Sequence, residues 1–207
     1  MSARPVLFPL FLKLERRACL VVGGGAEVAS KIPSLLASGA YVRVVAPLVT
    51  EEIRRQLTDE TSIIWYARQF EPSDLDGVAL VIALDEDDAV NAEVYREATA
   101  RGVLCNVVDQ PERCHFYYPA VVRRGQLQIA ISTGGVSPAL ASRIRRDLDQ
   151  QFDSSYSDWV DALSEARERV MRKLPRSPRR TRLLQRIASK QAYRTFAAKR
   201  RQRKELA

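Results

Sequence analysis

The chain has 207 residues, 46% of them hydrophobic and 28% charged, which is enough for one full core and a smaller module. Three cysteines without CxxC spacing argue against a disulfide or metal framework and fit a reducing cytoplasm. The net charge of +8 is uneven: from Arg167 onward there are 16 Lys+Arg and 2 Asp+Glu, leaving a net −6 on residues 1–166, which argues against a chain-wide nucleic-acid surface and for a distinct C-terminal module.

The opening residues lack the charged-then-apolar layout of a secretory signal, and no apolar run is long enough for a membrane span. Ala18 to Val22 is a short apolar run that ends in Gly23, Gly24 and Gly25, which reads as a buried parallel strand running into a tight turn. Ala26 to Ser38 carries Val28, Ile32, Leu35 and Leu36 at helical spacing, with Gly39 ending the helix and Pro33 expected to kink it. Strands are predicted at 42–46, 63–65, 78–83 and 103–108, and a helix at 87–101 with Val90, Val94 and Ala98 on one face. Strands alternating with helices imply an α/β fold, a Rossmann-type parallel sheet with right-handed crossovers.

After Asp109 the character changes. Pro111 and Pro119 bracket a loop carrying Cys114, His115, Phe116, Tyr117 and Tyr118. Leu127–Ile131 is predicted as a strand, and Ser137 and Pro138 open a helix to about Phe152 as N-cap and first residue. The remainder reads as helices interrupted at Pro175 and Pro178, with a basic end expected to fray from Ala197. The expected organisation is a dinucleotide-binding Rossmann domain over 1–112, a small α+β dimerisation and substrate module over 113–150, and a basic helical module over 151–207.

A strand, a Gly23-x-Gly25 turn and a helix together suit a pyrophosphate, because the backbone can approach it closely and the helix start offers N–H groups. Two details depart from the usual fingerprint. Val28 stands where glycine or alanine is usual, and no acidic residue ends the strand at Ala46, so this pattern does not separate NAD from NADP. Asp109 directly follows an apolar strand, at the edge where open α/β sheets hold their ligands, and can accept a proton; it can equally be a turn-forming aspartate. His115 is the one histidine, so it cannot build a metal site alone, and it is either an acid–base group or a packing residue.

The glycine turn, Asn106-Val-Val-Asp109-Gln-Pro111, the Phe116-x-x-Pro119-Ala segment and Ser132-Thr-Gly-Gly-Val-Ser-Pro138 in combination resemble precorrin-2 dehydrogenase, the N-terminal module of siroheme synthase, over about Leu7 to Leu148. The resemblance implies NAD-dependent oxidation of precorrin-2 to sirohydrochlorin, with Fe²⁺ insertion in bifunctional members, by a homodimer. It places the key carboxylate on Asp109 and the dinucleotide contacts on Gly23, Gly24, Gly25, Ala26, Glu27, Pro47 and Leu48. It places a substrate hydroxyl on Thr133, where a strand-closing threonine is an equal reading. His115 and Arg124 are further substrate-binding candidates, Arg124 because arginine suits the substrate's carboxylates. Glu27 departs from the family's small or apolar residue there. No resident metal, membrane or nucleic-acid partner is expected. The competing reading is a non-catalytic dinucleotide- or tetrapyrrole-binding module that docks a partner through its basic tail.

Overall fold

The computed structural model describes residues 6–59 and 62–205; the opening residues read above for a signal lie outside them. The chain forms two compact units that part between Tyr118 and Pro119.

The first unit is built on β1 (Ala18–Val22), α1 (Ala26–Ala29), α2 (Ile32–Leu36), β2 (Tyr41–Val45), α3 (Glu51–Asp59), β3 (Ile63–Tyr66), β4 (Val78–Ala83), α4 (Asp88–Arg101) and β5 (Leu104–Val107). The five strands are parallel in the order β3-β2-β1-β4-β5. Successive residues of β1 supply opposite faces. Cys19 and Val21 pack with Val28, Ile32, Leu35 and Ile53 on one side, while Leu20 and Val22 pack with Leu75, Val94 and Ala98 on the other. Both faces are covered, which is why β1 and β4 read as unbroken apolar runs rather than alternating ones. Each such side chain, fully withdrawn from water, contributes roughly 1.5–3 kcal/mol. Cys19 and Cys105 are fully buried, and burial pushes their thiols up to about 11 and about 12. They serve as small hydrophobes.

The expected single helix over 26–38 is two short ones. The break falls at Ser30-Lys31, and Pro33 sits in the first turn of α2, where its missing N–H costs no intrahelical bond. The apolar face survives the break, since Val28, Ile32 and Leu35 are all buried. Asp87 caps α4 by accepting from the Ala89 N–H, and Gly102 ends it in the left-handed region. Helix α3 has no sequence expectation behind it, because Ile53 and Leu57 are isolated apolar residues among charges.

The second unit holds the antiparallel pair β6 (Ala120–Arg124) and β7 (Leu127–Ile131), then α5 (Pro138–Gln151), α6 (Ser155–Lys173), α7 (Pro178–Ile187) and α8 (Lys190–Glu205). Ser137 caps α5 and Ser177 caps α7 through their side chains, each with proline in the first turn. The expected fraying from Ala197 is not observed: α8 continues to Glu205. Its aromatic face explains this. Tyr193 stacks on Tyr156 at 4.3 Å, Phe196 meets Trp159 at 5.1 Å, and the Tyr193 hydroxyl lies 2.8 Å from Ser155 Oγ. No described helix is long and apolar enough to cross a membrane.

One ion pair closes the turn before β4. Arg68 donates to both oxygens of Asp74, at 2.8 and 2.6 Å, and the Glu71 N–H adds a third bond at 2.9 Å. Burial acts to raise the Asp74 carboxyl, but the Arg68 bonds, the Glu71 N–H and nearby positive charge together bring it below the usual range. A carboxyl depressed in the folded state stabilises above its unfolded value, near about 3.9, and that gain is lost as pH falls through the lower folded value. Asp74→Asn is therefore expected to cost about 1 kcal/mol at pH 7, discounted for the half-exposed arginine. Urea unfolding of both proteins at pH 7 and pH 3 checks this; the gap narrows at the lower pH.

Candidate dinucleotide and substrate site

The carboxyl ends of β1, β2, β4 and β5 come together at one edge of the sheet. Gly23 N–H donates to Val45 O, Leu84 N–H to Val22 O, and Val108 N–H to Ala83 O, all at 2.9–3.0 Å, so the loops leaving these strands are tied side by side. The order reverses at β1, which has β2 on one side and β4 on the other. Open parallel sheets bind ligands at such a point.

The three glycines do different things there. Gly23 has φ +109°, and a Cβ on it would lie 2.1 Å from Leu84 O. A Cβ on Gly24 would lie 1.9 Å from Leu48 O. Position 24 is also tied to the next loop, since the Thr50 N–H donates to Gly24 O at 3.0 Å. Gly25 is the N-cap of α1 at φ −77°, and the space where its Cβ would stand is open to 4 Å. So Gly23 and Gly24 are fixed by the protein's own packing, while Gly25 leaves clear a cradle at the start of α1, beside the N–H groups of Ala26 and Glu27. The first N–H groups of a helix have no intrahelical acceptor. A dinucleotide pyrophosphate fits this cradle. The loop on its flank supports the fit, because Thr50 Oγ1 is buried there without a hydrogen-bond partner.

Glu27 is exposed and its carboxylate lies 3.9 Å from Lys31 Nζ. Val28 is fully buried in the core cluster, which absorbs its extra bulk. Pro47 is exposed and Leu48 is 77% exposed after β2. The last residue of the expected second strand, Ala46, accepts the Trp65 Nε1–H at 2.9 Å.

Asp109 is exposed at the end of β5 with φ +63°, one of two non-glycine residues in the left-handed region among the described residues. Aspartate tolerates that conformation better than most, at roughly 1 kcal/mol. Strain of this kind persists where the surroundings enforce it, commonly at functional positions.

His115 is turned onto the fold. Its Nδ1 accepts the Cys105 N–H at 3.2 Å, and its Nε2 lies 3.3 Å from Thr99 Oγ1. The Thr99 hydroxyl donates to Tyr95 O at 2.7 Å, which assigns the imidazole proton to Nε2. Phe116 and Tyr118 contact each other at 5.8 Å; Phe116 packs on the core and Tyr118 lies under Lys31 Nζ at 5.5 Å.

In the second unit, Thr133 Oγ1 accepts the Ser137 N–H at 3.1 Å and keeps its own hydrogen to donate. Gly134 and Gly135 beside it have positive φ and open space around them. Arg124 donates to the carboxylate and carbonyl of Asp149, both at 2.9 Å, and its Nε is buried without a partner. Its guanidinium links β6 to the end of α5. Arg143 likewise pairs with Asp147 at 2.9 Å.

Two buried asparagines near this edge have roles that the sequence reading did not assign. Buried Asn91 accepts from the Asp85 N–H and donates to Asp85 O, both at 2.9 Å, pinning the loop after β4. Buried Asn106 donates to Phe116 O at 2.8 Å. A polar residue inside an apolar helix face or strand was the available signal in both cases.

The division among the glycines makes a prediction. Gly25→Ala meets no atom, so its unfolding free energy should change by less than about 1 kcal/mol. Affinity for NAD⁺, read by calorimetric titration, should fall about tenfold or more as the methyl fills the cradle.

Comparisons with known proteins agree with this geometry. Residues 10–120 match the family model described as putative NAD(P)-binding, and residues 124–151 match that of the sirohaem biosynthesis protein central region. Siroheme synthase 1 of Yersinia enterocolitica is 44% identical over 78% of this chain, and the siroheme synthase of Pseudomonas aeruginosa is 44% identical over 81%. The chain spans about a third of the length of these curated relatives, 34% and 36%. The solved structure of SirC, precorrin-2 dehydrogenase, matches with TM-score 0.73 and 32% identity over 89% of this chain and 91% of that one. With an NAD(P)-binding sheet edge, the sirohaem central segment and near full-length likeness to SirC, the chain belongs to the precorrin-2 dehydrogenase family.

Proposed function

We propose that the protein oxidises precorrin-2 to sirohydrochlorin with NAD⁺, in siroheme biosynthesis, and that Asp109 is the base. The observation that carries the reading is the left-handed Asp109 at the end of β5, on the same sheet edge as the glycine cradle. The reaction removes a hydride and a proton from the macrocycle. NAD⁺, when bound, supplies the acceptor for the hydride and leaves as NADH.

The chain's own residues bind, orient and take the proton. The Gly23-Gly24-Gly25 turn, with the N–H groups of Ala26 and Glu27, holds the pyrophosphate, and Pro47 and Leu48 line the adenosine side. The Asp109 carboxylate accepts the proton released as the hydride departs. The Thr133 hydroxyl donates to a carboxylate arm of the tetrapyrrole. Arg124 is engaged by Asp149, and His115 by Cys105 with Thr99. The reading includes a homodimer in the cytoplasm. Exposed Phe8, Leu10 and Phe11 support a protein contact, and free Cys19, Cys105 and Cys114 support a reducing compartment.

An anaerobic absorbance assay with precorrin-2 and NAD⁺ tests this, beside Asp109→Asn, which keeps the left-handed turn but not the charge. Wild-type protein should form sirohydrochlorin and NADH in equal amounts, and the variant should lose about 100-fold or more in kcat. Fe²⁺ added afterwards tests chelation. If the wild type binds NAD⁺ yet leaves precorrin-2 unchanged, the chain is a binding module and not a dehydrogenase.

A further inference from the structure

The strand that carries Asp109 is the outer strand of the sheet, so one side of β5 has no strand partner. The chain uses its own return path to cover that side. After Asp109 it turns through Pro111–Arg113 and runs back antiparallel to β5, with Asn106 opposite Cys114. Cys105 is gripped twice by one residue: its carbonyl accepts the His115 N–H at 2.8 Å, and its N–H donates to His115 Nδ1 at 3.2 Å. Here an imidazole nitrogen takes the place of the strand carbonyl that an edge N–H would otherwise meet.

Cys114 closes the same loop from inside. Its Sγ lies 3.1 Å from Val107 O and 3.2 Å from Gln110 O, the carbonyls on either side of Asp109. The Gln110 N–H donates to Val107 O at 3.2 Å, so Asp109 is the third residue of the turn that the thiol spans. Asn106 Nδ2 donates to Cys114 Sγ at 3.3 Å and so fixes the sulfur's position. Outside the turn, Arg113 and Gln110 both donate to Asp88 Oδ1, at 2.7 and 2.8 Å, tying the loop to the start of α4.

We propose that Cys114 and His115 are positioning residues for Asp109: together they form a clasp on the edge of β5 that holds the carboxylate in its left-handed turn. The inference rests on Asp109 acting as the base. The thiol acts as a hydrogen-bond donor and the imidazole as an acceptor, and neither touches substrate. A left-handed aspartate released from this clasp relaxes to an ordinary conformation and carries its carboxylate away from the reacting proton.

The donor and acceptor roles choose the variants. Cys114→Ala removes the donor and Cys114→Ser restores one. His115→Gln removes the acceptor at Nδ1, while His115→Asn places an amide oxygen close to it. Steady-state kcat and KM with precorrin-2, NAD⁺ affinity, and deuterium exchange over residues 104–116 are measured on the full chain, with Asp109→Asn alongside. Cys114→Ala and His115→Gln are expected to lower kcat about tenfold or more, as misplacement of a reacting group does, with NAD⁺ affinity within about twofold and faster exchange at 107–113. Cys114→Ser and His115→Asn should recover most of the loss. If Cys114→Ala does not fold, the exposed His115 pair carries the same comparison. The clasp is overturned if both Cys114→Ala and His115→Gln keep wild-type kcat while Asp109→Asn loses it. If Asp109→Asn keeps wild-type kcat, it is the base that fails; unchanged exchange in the clasp variants then overturns the clasp as well.

Discussion

A methyl group at position 23 would sit 2.1 Å from one carbonyl oxygen and at position 24 1.9 Å from another, so the chain can leave β1 only as bare backbone. The rest of the sheet edge depends on that closeness. Because nothing projects from the turn, the loops after β2 and β4 can close against it, through Leu48 and Leu84. The Thr50 N–H locks the β2 loop to Gly24, and Asn91 locks the β4 loop at Asp85. A cradle is left at Gly25 because the two glycines before it absorb the steric demand. The same edge carries Asp109 one strand further out. On the function proposed above, cofactor binding and proton transfer share a single layer of backbone, held by hydrogen bonds between neighbouring strand ends.

The parts of this arrangement that the sequence reveals are those set by local pattern. The apolar runs of β1 and β4 and the four-residue spacing in α4 depend only on residues close in the chain, and the sheet follows from their alternation. Asp109 was legible as a strand-end carboxylate for the same reason. Its left-handed backbone was not, because a non-glycine residue adopts that conformation only occasionally and no local pattern marks it. Helix α3 was illegible because its buried face holds little beyond Ile53 and Leu57. Strand β6 was hidden because Arg123 and Arg124 cut its apolar run to Ala120-Val-Val122, and Arg124 read as a substrate-binding candidate. Arg124 is in fact spent on Asp149, twenty-five residues on. Likewise His115 looks like chemistry in a sequence, yet in the fold both its ring nitrogens meet protein partners.

The charge asymmetry has a comparable explanation. The cations of the last forty residues lie on helices, and in α8 Tyr193 and Phe196 dock onto Tyr156 and Trp159 of α6. Arg200 pairs with Asp158 across the same contact. Burial of the rings offsets the mutual repulsion of the arginines, which composition alone cannot weigh. Among the described residues the tail as far as Glu205 is helix α8 of the second unit.

The central claim is that one sheet edge holds both the dinucleotide and the base. A crystal structure of the protein with NAD⁺ tests it most directly. The account predicts the pyrophosphate on the N–H groups of Ala26 and Glu27, and the nicotinamide ring extending past the end of β4 toward Asp109. A dinucleotide seated away from the Gly25 cradle, or a nicotinamide pointing toward the end of β3 with Asp109 out of reach, would contradict it.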